Sequence, residues 1–387
     1  MKKTQILVDT EKAVYLESFD IREVYLSKKG AIPIQVTKRR LYGGVQDGVD
    51  VVEINAGFLN FVVLLSRGMS IQKVNSRNVE LKWDSPVGGP VHPKFVPLFA
   101  PNGCGWLEGF SEWLVRCGLE SNGAPEFDSS GVLRYPLHGR LANLPAHFAA
   151  VSIDTETGVI ILTGDVMETS VFGHKFLFKS TYTVKIGSTK LCIEDSVTNL
   201  LTSVDEFELL YHINTGMPLI SPGARFVVPF YSMCPRDFSA MIELEQWDKF
   251  VEPETGRAET CYFFDLATNK QRNTKVALVG ADGISGVSLA FNKEEFPYFI
   301  LWKTQRPNDD IYVSGMEPAV NFPNTHSFEK KKGRIVSIAP KETKTFHLEI
   351  DVLSSEQEVE ECVRDVECLQ NGERRIVSSA PIQEWCE

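Results

Sequence analysis

An alternation of apolar and polar residues over residues 175–200, KFLFKSTYTVKIGSTKLCIEDSVTNL, limits the folds open to this chain. One set of alternate positions is mostly apolar and the other is mostly Lys and Thr: Phe176, Phe178, Ser180, Tyr182, Val184 and Ile186 against Lys175, Lys179, Thr181, Thr183 and Lys185. A period of two is typical of a β-strand with one buried face. The IGST segment separates two such runs, so the sequence predicts a hairpin here.

Similar segments recur along the chain. Residues 49–74 are rich in β-branched and aromatic residues, with Gly57 and Gly68 at turn or bulge positions. Further strand-like segments cover residues 150–164, 205–213, 259–266, 275–280, 286–292, 297–303, 310–316 and 333–350. Many short strands without helical alternation or a low-complexity linker predict an all-β fold. We therefore expect one large β-sandwich domain over residues 1–353.

Two regions depart from the strand pattern. Residues 103–120 place Trp106, Phe110, Trp113 and Leu114 at roughly helical spacing, which predicts a short helix or a folded loop. Residues 354–387 predict an acidic helical tail that begins at Ser354 or Ser355 and ends near Gly372. Its apolar stripe is Val359, Cys362, Val363, Val366 and Leu369.

The net charge of the chain limits the classes of partner that it is expected to bind. A formal net charge of −11 and a pI near 5.3 argue against binding to nucleic acid or an anionic membrane, because both need clustered Lys and Arg. A neutral or polar small molecule is the expected ligand, and a monomer or homodimer the expected assembly.

The cysteine pattern and the N-terminal residues indicate in which cellular compartment the protein is expected. The 8 cysteines form no CxxC pair, so no zinc or redox motif is indicated and a reducing cytoplasm is expected. Asp9 and Glu11 precede any apolar run, which is unlike a signal peptide. The sequence has no run of eighteen apolar residues, the length that a membrane span requires.

Three polar residues stand where strand-like segments meet loops. Glu317 follows an apolar strand and precedes Pro318, whose ring biases Glu317 to an extended conformation. The alternative is that Glu317 is a solvated turn carboxylate, as most Glu residues are. His212 and His138 lie in YHINTG and LHGR. Taken alone, either histidine is explained about equally well as a hydrogen-bonded structural residue and as a functional one.

One carboxylate and two histidines provide what proton transfer on a sugar hemiacetal requires. A base removes the anomeric hydroxyl proton while an acid protonates the ring oxygen, so that the ring opens and recloses as the other anomer. This chemistry needs no metal, nucleotide or other cofactor. Motifs for dinucleotide binding, hydrolase elbows and zincins are absent from the sequence, and GADGISG lacks the GxGxxG spacing.

The ordered segments LHGR, YHINTG, GMEP and RIVSIAPKETKTFHLEI resemble the aldose 1-epimerase (galactose mutarotase) superfamily, most closely its uncharacterised-function branch. The resemblance covers about residues 50–352. It implies a galactose mutarotase-like super-sandwich of large antiparallel sheets with the site in an open groove. It also implies His212 as the general acid, Glu317 as the general base and His138 as a sugar ligand. Ala319 stands where the mutarotases carry Gln, and no residue matches their sugar-binding aspartate.

Further substrate contacts are expected around these three residues. Trp83, Trp106 and Trp302 are candidates for stacking on a sugar ring, although core packing is favoured for Trp106. Polar candidates for sugar hydroxyls or an anionic substituent are Arg140, Asn214 and Lys303, and Arg67 is a further candidate for the family's arginine.

The sequence thus favours a cofactor-independent sugar isomerase that interconverts the anomers of a monosaccharide or modified sugar in carbohydrate metabolism. A non-catalytic carbohydrate-binding or sensor protein on the same fold is the main alternative. Lyase or hydrolase chemistry on this scaffold is a third, because a fold does not determine a reaction.

Overall fold

A computed structural model describes residues 2–28 and 30–387. The first strands in chain order are β1 (Lys2–Asp9), β2 (Val14–Tyr15), β3 (Phe19–Ser27), β4 (Gly30–Arg40), β5 (Asp50–Asn55), β6 (Leu59–Leu64), β7 (Ser70–Ser76), β8 (Val79–Leu81), β9 (Leu114–Leu119), β10 (Glu126–Phe127), β11 (Leu133–Tyr135), β12 (Ala146–Asp154) and β13 (Val159–Thr169). The remaining strands are β14 (Lys175–Lys185), β15 (Lys190–Asn199), β16 (Asp205–Gly216), β17 (Arg225–Val227), β18 (Phe230–Pro235), β19 (Thr260–Leu266), β20 (Asn273–Val279), β21 (Gly286–Asn292), β22 (Tyr298–Gln305), β23 (Tyr312–Ala319), β24 (Val336–Ile338), β25 (Thr343–Leu353) and β26 (Ile376–Val377). The α-helices are α1 (Phe238–Ile242), α2 (His326–Lys331) and α3 (Glu356–Gln370).

Most of the strands belong to two large sheets. A 10-stranded sheet has the order β17-β20-β21-β25-β15-β14-β13-β12-β1-β2. A 14-stranded sheet follows the path β26-β18-β19-β22-β23-β16-β9-β7-β6-β5-β4-β3, with β24 and β8 paired beside it. Neighbouring strands run antiparallel except β18 and β26. The expected all-β architecture of large antiparallel sheets is confirmed.

The main core lies between the two sheets. The predicted hairpin is formed by β14 and β15, in which Phe178 pairs with Val197. Phe176, Phe178 and Tyr182 are fully buried in this core, as the period-two pattern predicted. Apolar side chains on alternate positions of both sheets therefore make the inter-sheet layer.

The N-terminal strands were not expected from the sequence, in which strand-like patterning becomes clear only near residue 50. β1 pairs with β12 at one side of the smaller sheet, and the β3–β4 hairpin extends the larger sheet beyond β5. β3 alternates between partly buried and exposed residues rather than buried and exposed ones. Edge strands bury little apolar surface, so their hydrophobic alternation is weak.

Residues 103–120 form a short helix only in their first part. A 3₁₀ helix spans Gly105–Gly109, and the chain then enters β9, which pairs with β16 and β7. Trp113 lies directly before that strand and is fully buried. Its roughly helical spacing from Trp106 therefore does not reflect a continuous helix.

The expected C-terminal helix is present as α3. The Ser355 hydroxyl accepts a hydrogen bond from the backbone N–H of Glu358, and Asn371 ends the helix in the left-handed conformation. Val359, Cys362 and Val366 are buried in a cluster with residues of β17 and β20. The apolar stripe thus packs α3 against the smaller sheet.

Residues beyond α3 continue across to the larger sheet. β26 pairs with β18, and Cys386 is buried close to Cys234 of that strand, with the two sulfur atoms 3.8 Å apart. Trp385 packs on Phe322, in the loop after β23, with ring centroids 5.4 Å apart. The chain end therefore covers the loop that follows Glu317.

None of the helices in residues 2–28 and 30–387 combines the length and the apolar character needed to cross a membrane.

Candidate functional site

A cavity of about 230 Å³ opens on the face of the larger sheet that points away from the inter-sheet core. Its walls are Trp106, Leu107, Phe110, Ala124, Leu137, His138, His212, Arg236, Glu259, Cys261, Trp302, Glu317 and Pro323. This volume lies below the roughly 300–1,000 Å³ of drug-sized pockets, so the cavity suits one small ligand. Apolar and aromatic walls with a few convergent polar groups are typical of a ligand site.

His212 and Glu317 face each other in this cavity because of strand register. β16 and β23 are antiparallel, and the pairing of Ile213 with Met316 sets His212 opposite Glu317 on the other face of the sheet. The His212 Nε2 and Glu317 Oε1 atoms are 3.2 Å apart, and both side chains are almost fully buried. The two residues predicted to be catalytic are therefore brought together.

Gly315 leaves the space for this pair. A Cβ at this position would lie 2.4 Å from Glu317 Oε1 and 3.0 Å from His212 Cε1. Carbon–oxygen approaches of that length are strongly repulsive, so any side chain at residue 315 would displace the carboxyl group.

Asn214 fixes which nitrogen of His212 carries the proton. The Asn214 Nδ2 group donates to the carbonyls of Glu112 and His212, so its Oδ1 atom is the acceptor that faces His212 Nδ1. His212 therefore holds its proton on Nδ1 and presents the lone pair of Nε2 to Glu317. Asn214 itself is fully buried and does not line the cavity.

Burial disfavours the charged form of both members of the pair. Desolvation raises the pKa of Glu317 well above its usual range. Burial, with a smaller contribution from His138, lowers the pKa of His212 to about 3. Glu317 Oε1 has no hydrogen-bond partner of good geometry among residues 2–28 and 30–387. These shifts favour a neutral pair with one transferable proton, beside a carboxyl oxygen that lacks a hydrogen-bond partner in the described residues.

His138 lies beside this pair in a constrained loop. Its backbone φ is 58°, an uncommon value for a residue with a side chain. The His138 Nδ1 atom donates to the carbonyl of Asn122 at 2.8 Å, and the ring lies 5.6 Å from that of His212 and 4.6 Å from that of Trp106. Burial lowers the pKa of His138 to about 4, so its Nε2 atom is an acceptor at neutral pH.

The opposite wall contains a polar trio that sequence reasoning only partly found. Trp302 Nε1 donates to Glu259 Oε2 at 2.8 Å, and Arg236 Nη2 contacts Glu259 Oε1 at 3.0 Å. Arg236 follows β18 and Glu259 precedes β19, and neither occurs in a recognisable motif. Pairing of β18, β19 and β22 brings them to Trp302, so no local sequence signal identified them.

With this geometry established, comparison with known proteins decides the family. The family described as Domain of unknown function (DUF4432) matches residues 46–352. The chain belongs to this family. A search of curated protein sequences found no significant match.

Solved structures show that this DUF4432 protein has the galactose mutarotase-like fold. A "putative aldose 1-epimerase" from Klebsiella pneumoniae subsp. pneumoniae MGH 78578 superposes with a TM-score of 0.93 at 26% identity, over 99% of each chain. A galactose mutarotase-like protein from Clostridium acetobutylicum gives 0.55 at 13% identity, over 87% of this chain and 99% of that one. A galactose mutarotase related enzyme from Lactobacillus acidophilus gives 0.52 at 14%, over 79% and 98%.

Four predicted ligand residues of the DUF4432 protein do not reach the cavity. Arg67 is fully buried, where it pairs with Glu112 and donates to the carbonyls of Val91 and Gly109. The guanidinium N–H groups of Arg67 therefore hold the backbone at Val91 and Gly109, behind the cavity, and do not point into it.

Lys303 is the second of these. It points to the other face of β22 from Trp302, where its Nζ atom donates to the carbonyls of Gln246 and Lys249 at 2.8 and 3.0 Å. Arg140 and Asn214 are the third and fourth, since neither lines the cavity. These placements do not support direct substrate contact by any of the four.

The tryptophans also differ from expectation. Trp83 packs on Phe110 and donates to the Glu112 carbonyl rather than lining the cavity. Trp106, for which core packing was favoured, is fully buried but contributes to the cavity wall. Its Nε1 atom has no acceptor within the described chain. Trp106 and Trp302 are therefore the two tryptophans of the site.

Proposed function

We propose that this protein is a cofactor-independent sugar isomerase of the aldose 1-epimerase type, which interconverts the anomers of a monosaccharide or modified sugar. The observation that carries the proposal is the buried pair of Glu317 and His212, 3.2 Å apart at the wall of a cavity sized for a small ligand. In a hemiacetal the anomeric hydroxyl and the ring oxygen are bonded to the same carbon. Two adjacent acid–base groups can therefore contact both oxygens at once.

One shared proton is sufficient for this reaction. The neutral pair consists of a carboxylic acid and an imidazole with a free Nε2 lone pair. A sugar hydroxyl that donates to Glu317 favours its ionised form, because hydrogen bonding to a charged form stabilises that form. The proton then resides on His212, which protonates the ring oxygen while Glu317 accepts the anomeric proton. Ring closure on the other face reverses these transfers and restores the pair.

The other cavity residues fit sugar recognition. Trp106 and Trp302 offer aromatic surface, and the indole N–H of Trp106 lacks an acceptor that a sugar hydroxyl would supply. His138 Nε2 is available as an acceptor. Glu259 and Arg236 provide acceptor and donor groups on the opposite wall.

Magnetisation exchange between α- and β-anomer NMR signals tests the proposal. A panel of neutral and acidic aldoses should contain at least one sugar whose exchange is faster with protein than in buffer. Binding without faster exchange would instead support the carbohydrate-binding or sensor alternative. Release of a new product would indicate lyase or hydrolase chemistry.

Glu317→Gln should lower the exchange rate by roughly 10²–10⁴-fold, since loss of a general acid–base group typically has an effect of that size. Sugar binding and folding should be retained, because Gln has nearly the same volume. Glu349→Gln on β25 of the other sheet is the matched control and should exchange at the wild-type rate. A near-normal rate in Glu317→Gln would reject this residue as the proton carrier.

All 8 cysteines are free thiols in the structure, which is compatible with a reducing compartment. We therefore keep the cytoplasm as the expected location of the enzyme.

A further inference from the structure

A second cluster of polar side chains lies outside the cavity. Glu120 directly follows β9, Glu168 lies near the end of β13, and His174 lies in the turn between β13 and β14. One ligand atom from each of these residues lies within 4.8 Å of the other two. The proton transfer proposed above involves none of them.

His174 has an unusual environment for a structural histidine. Its side chain is only 8% exposed, and Nε2 lies 3.3 Å from Glu168 Oε1. The Nε2 atom nevertheless makes no hydrogen bond of acceptable geometry within residues 2–28 and 30–387. The Glu168 oxygen therefore lies close to the nitrogen without a hydrogen bond of ordinary geometry between the two atoms. Two ligands of a common ion lie at such a separation without a hydrogen bond between them.

The separation of His174 Nε2 and Glu168 Oε1 also matches that of two metal ligands. Zinc–nitrogen and zinc–oxygen bonds of about 2.0–2.1 Å in a tetrahedral arrangement place two ligand atoms about 3.3–3.4 Å apart. Glu168 is fully buried and held in position, because its carboxylate accepts hydrogen bonds from the backbone N–H groups of Leu119 and Glu120. The Glu120 side chain is 34% exposed, which leaves a route for an ion and room to adjust.

We propose that Glu120, Glu168 and His174 form a binding site for a divalent transition-metal ion, with Zn²⁺ the best match. One ring nitrogen of His174 and one oxygen of each carboxylate supply three ligands, and water takes the fourth position. Imidazole among carboxylates favours zinc and similar transition metals over Mg²⁺ or Ca²⁺, which prefer oxygen ligands alone. No local motif indicates this site, because its three residues come from separate strands and turns.

The site would brace one wall of the cavity. Asn122, two residues after Glu120, holds His138 through its carbonyl oxygen. An ion that joins Glu120 to β13 would therefore restrain the segment that orients His138. This role is structural, so the metal proposal does not depend on the proposed isomerase activity.

Isothermal titration with ZnCl₂ alone, on full-length protein freed of metal with a chelator, tests the site. Wild-type protein should bind one ion per chain, with a rise in the thermal unfolding temperature at saturating zinc. His174→Gln and Glu120→Gln should each weaken this binding by more than about 100-fold, beyond the 10–100-fold typical of residues that only support a ligand. Glu120→Gln is the safer variant for folding, because its side chain is partly exposed.

His347→Gln is the matched control. His347 lies on the surface between Glu194 and Glu295, so it is a histidine beside two carboxylates that lies outside the proposed site. This variant should keep the one-ion stoichiometry and the affinity of the wild type. Absence of zinc binding in the wild type, or equal binding in His174→Gln and wild type, would overturn the proposal. Either result would leave the anomer-exchange experiment unaffected.

Discussion

Asn214 controls the chemistry of His212 from behind the cavity wall. Its amide nitrogen donates to two backbone carbonyls, so the amide oxygen is the acceptor that faces the His212 Nδ1 proton. A histidine without such a partner divides its proton between both nitrogens. We therefore propose that Asn214, which was predicted to contact substrate, positions His212 instead.

Asn214→Ala should lower kcat for anomer exchange by roughly 10²-fold and leave KM nearly unchanged, since acid–base geometry is lost but cavity contacts remain. NMR exchange rates measured against sugar concentration separate the two constants. Asn60→Ala on β6 is the control and should keep wild-type values. A raised KM with unchanged kcat would instead support direct sugar binding by Asn214.

Buried histidines make stability depend on pH. The pKa values of His138 and His212 are lowered to about 4 and about 3, from an ordinary value of 6.5. Below pH 6.5 the unfolded chain therefore binds protons that the folded protein excludes, and each histidine reduces the free energy of unfolding by up to about 1.4 kcal/mol per pH unit. The effect of Glu317 is opposite in sign. Its raised pKa favours the folded state at low pH, and this contribution is lost as pH rises through the folded value.

His138→Gln should accordingly lose less stability than wild type between pH 7 and pH 5, because Gln does not titrate and can still donate to the Asn122 carbonyl. Urea unfolding at pH 7, 6 and 5 measures the two slopes. Parallel slopes for variant and wild type would show that His138 titrates normally in the folded protein.

At the scale of elements, the loop after β23 depends on the C-terminal segment. The Trp385 ring packs on Phe322, and Asn324 Nδ2 donates to the Trp385 carbonyl at 2.8 Å. Pro323 lies between these two anchors and lines the cavity. The C-terminal segment thus supports a wall of the cavity. The division of the chain into a sandwich of residues 1–353 and a tail of residues 354–387 stays a prediction.

Trp385→Ala should destabilise the protein by about 2–3 kcal/mol, somewhat less than the roughly 3–5 kcal/mol for a fully buried aromatic residue. Loss of support for Pro323 should also raise KM in the exchange assay. Urea unfolding and sugar titration measure the two effects. Phe172→Ala, at a fully exposed ring, should change stability by no more than about 0.5 kcal/mol. Equal effects of the two variants would contradict the supporting role of the tail.

At the scale of the whole molecule, a buried ion pair joins the two sheets. Arg116 of β9 in the larger sheet binds Asp195 of β15 in the smaller sheet, with Nε and Oδ2 2.8 Å apart and both side chains fully buried. Arg116 also donates to the Tyr182 hydroxyl at 2.6 Å, and the Tyr211 hydroxyl donates to Asp195. Arg116 and Asp195 therefore both have hydrogen-bonded partners in this apolar layer, which is the condition for burying charge.

Asp195→Asn should reduce the free energy of unfolding by about 3–5 kcal/mol, because it leaves the buried Arg116 charge without a counter-ion. Denaturant unfolding measures the loss. The double variant Arg116→Met with Asp195→Leu should lose less than the sum of the two single changes. Strict additivity would show that the two side chains do not act as a pair.

The sequence by itself determined the features that depend on neighbouring residues. Tertiary structure decided those that depend on residues far apart in the chain. The period-two pattern of residues 175–200 specified a hairpin and a buried face, because alternation is a local consequence of strand geometry. Motif order further singled out His138, His212 and Glu317, which the structure brings to one cavity. The roles of Arg67 and Lys303, and the presence of Arg236 and Glu259 in the cavity, depend on which strands pair across the sheet. Such pairing is set by packing between residues far apart in sequence, so a local sequence pattern does not predict it.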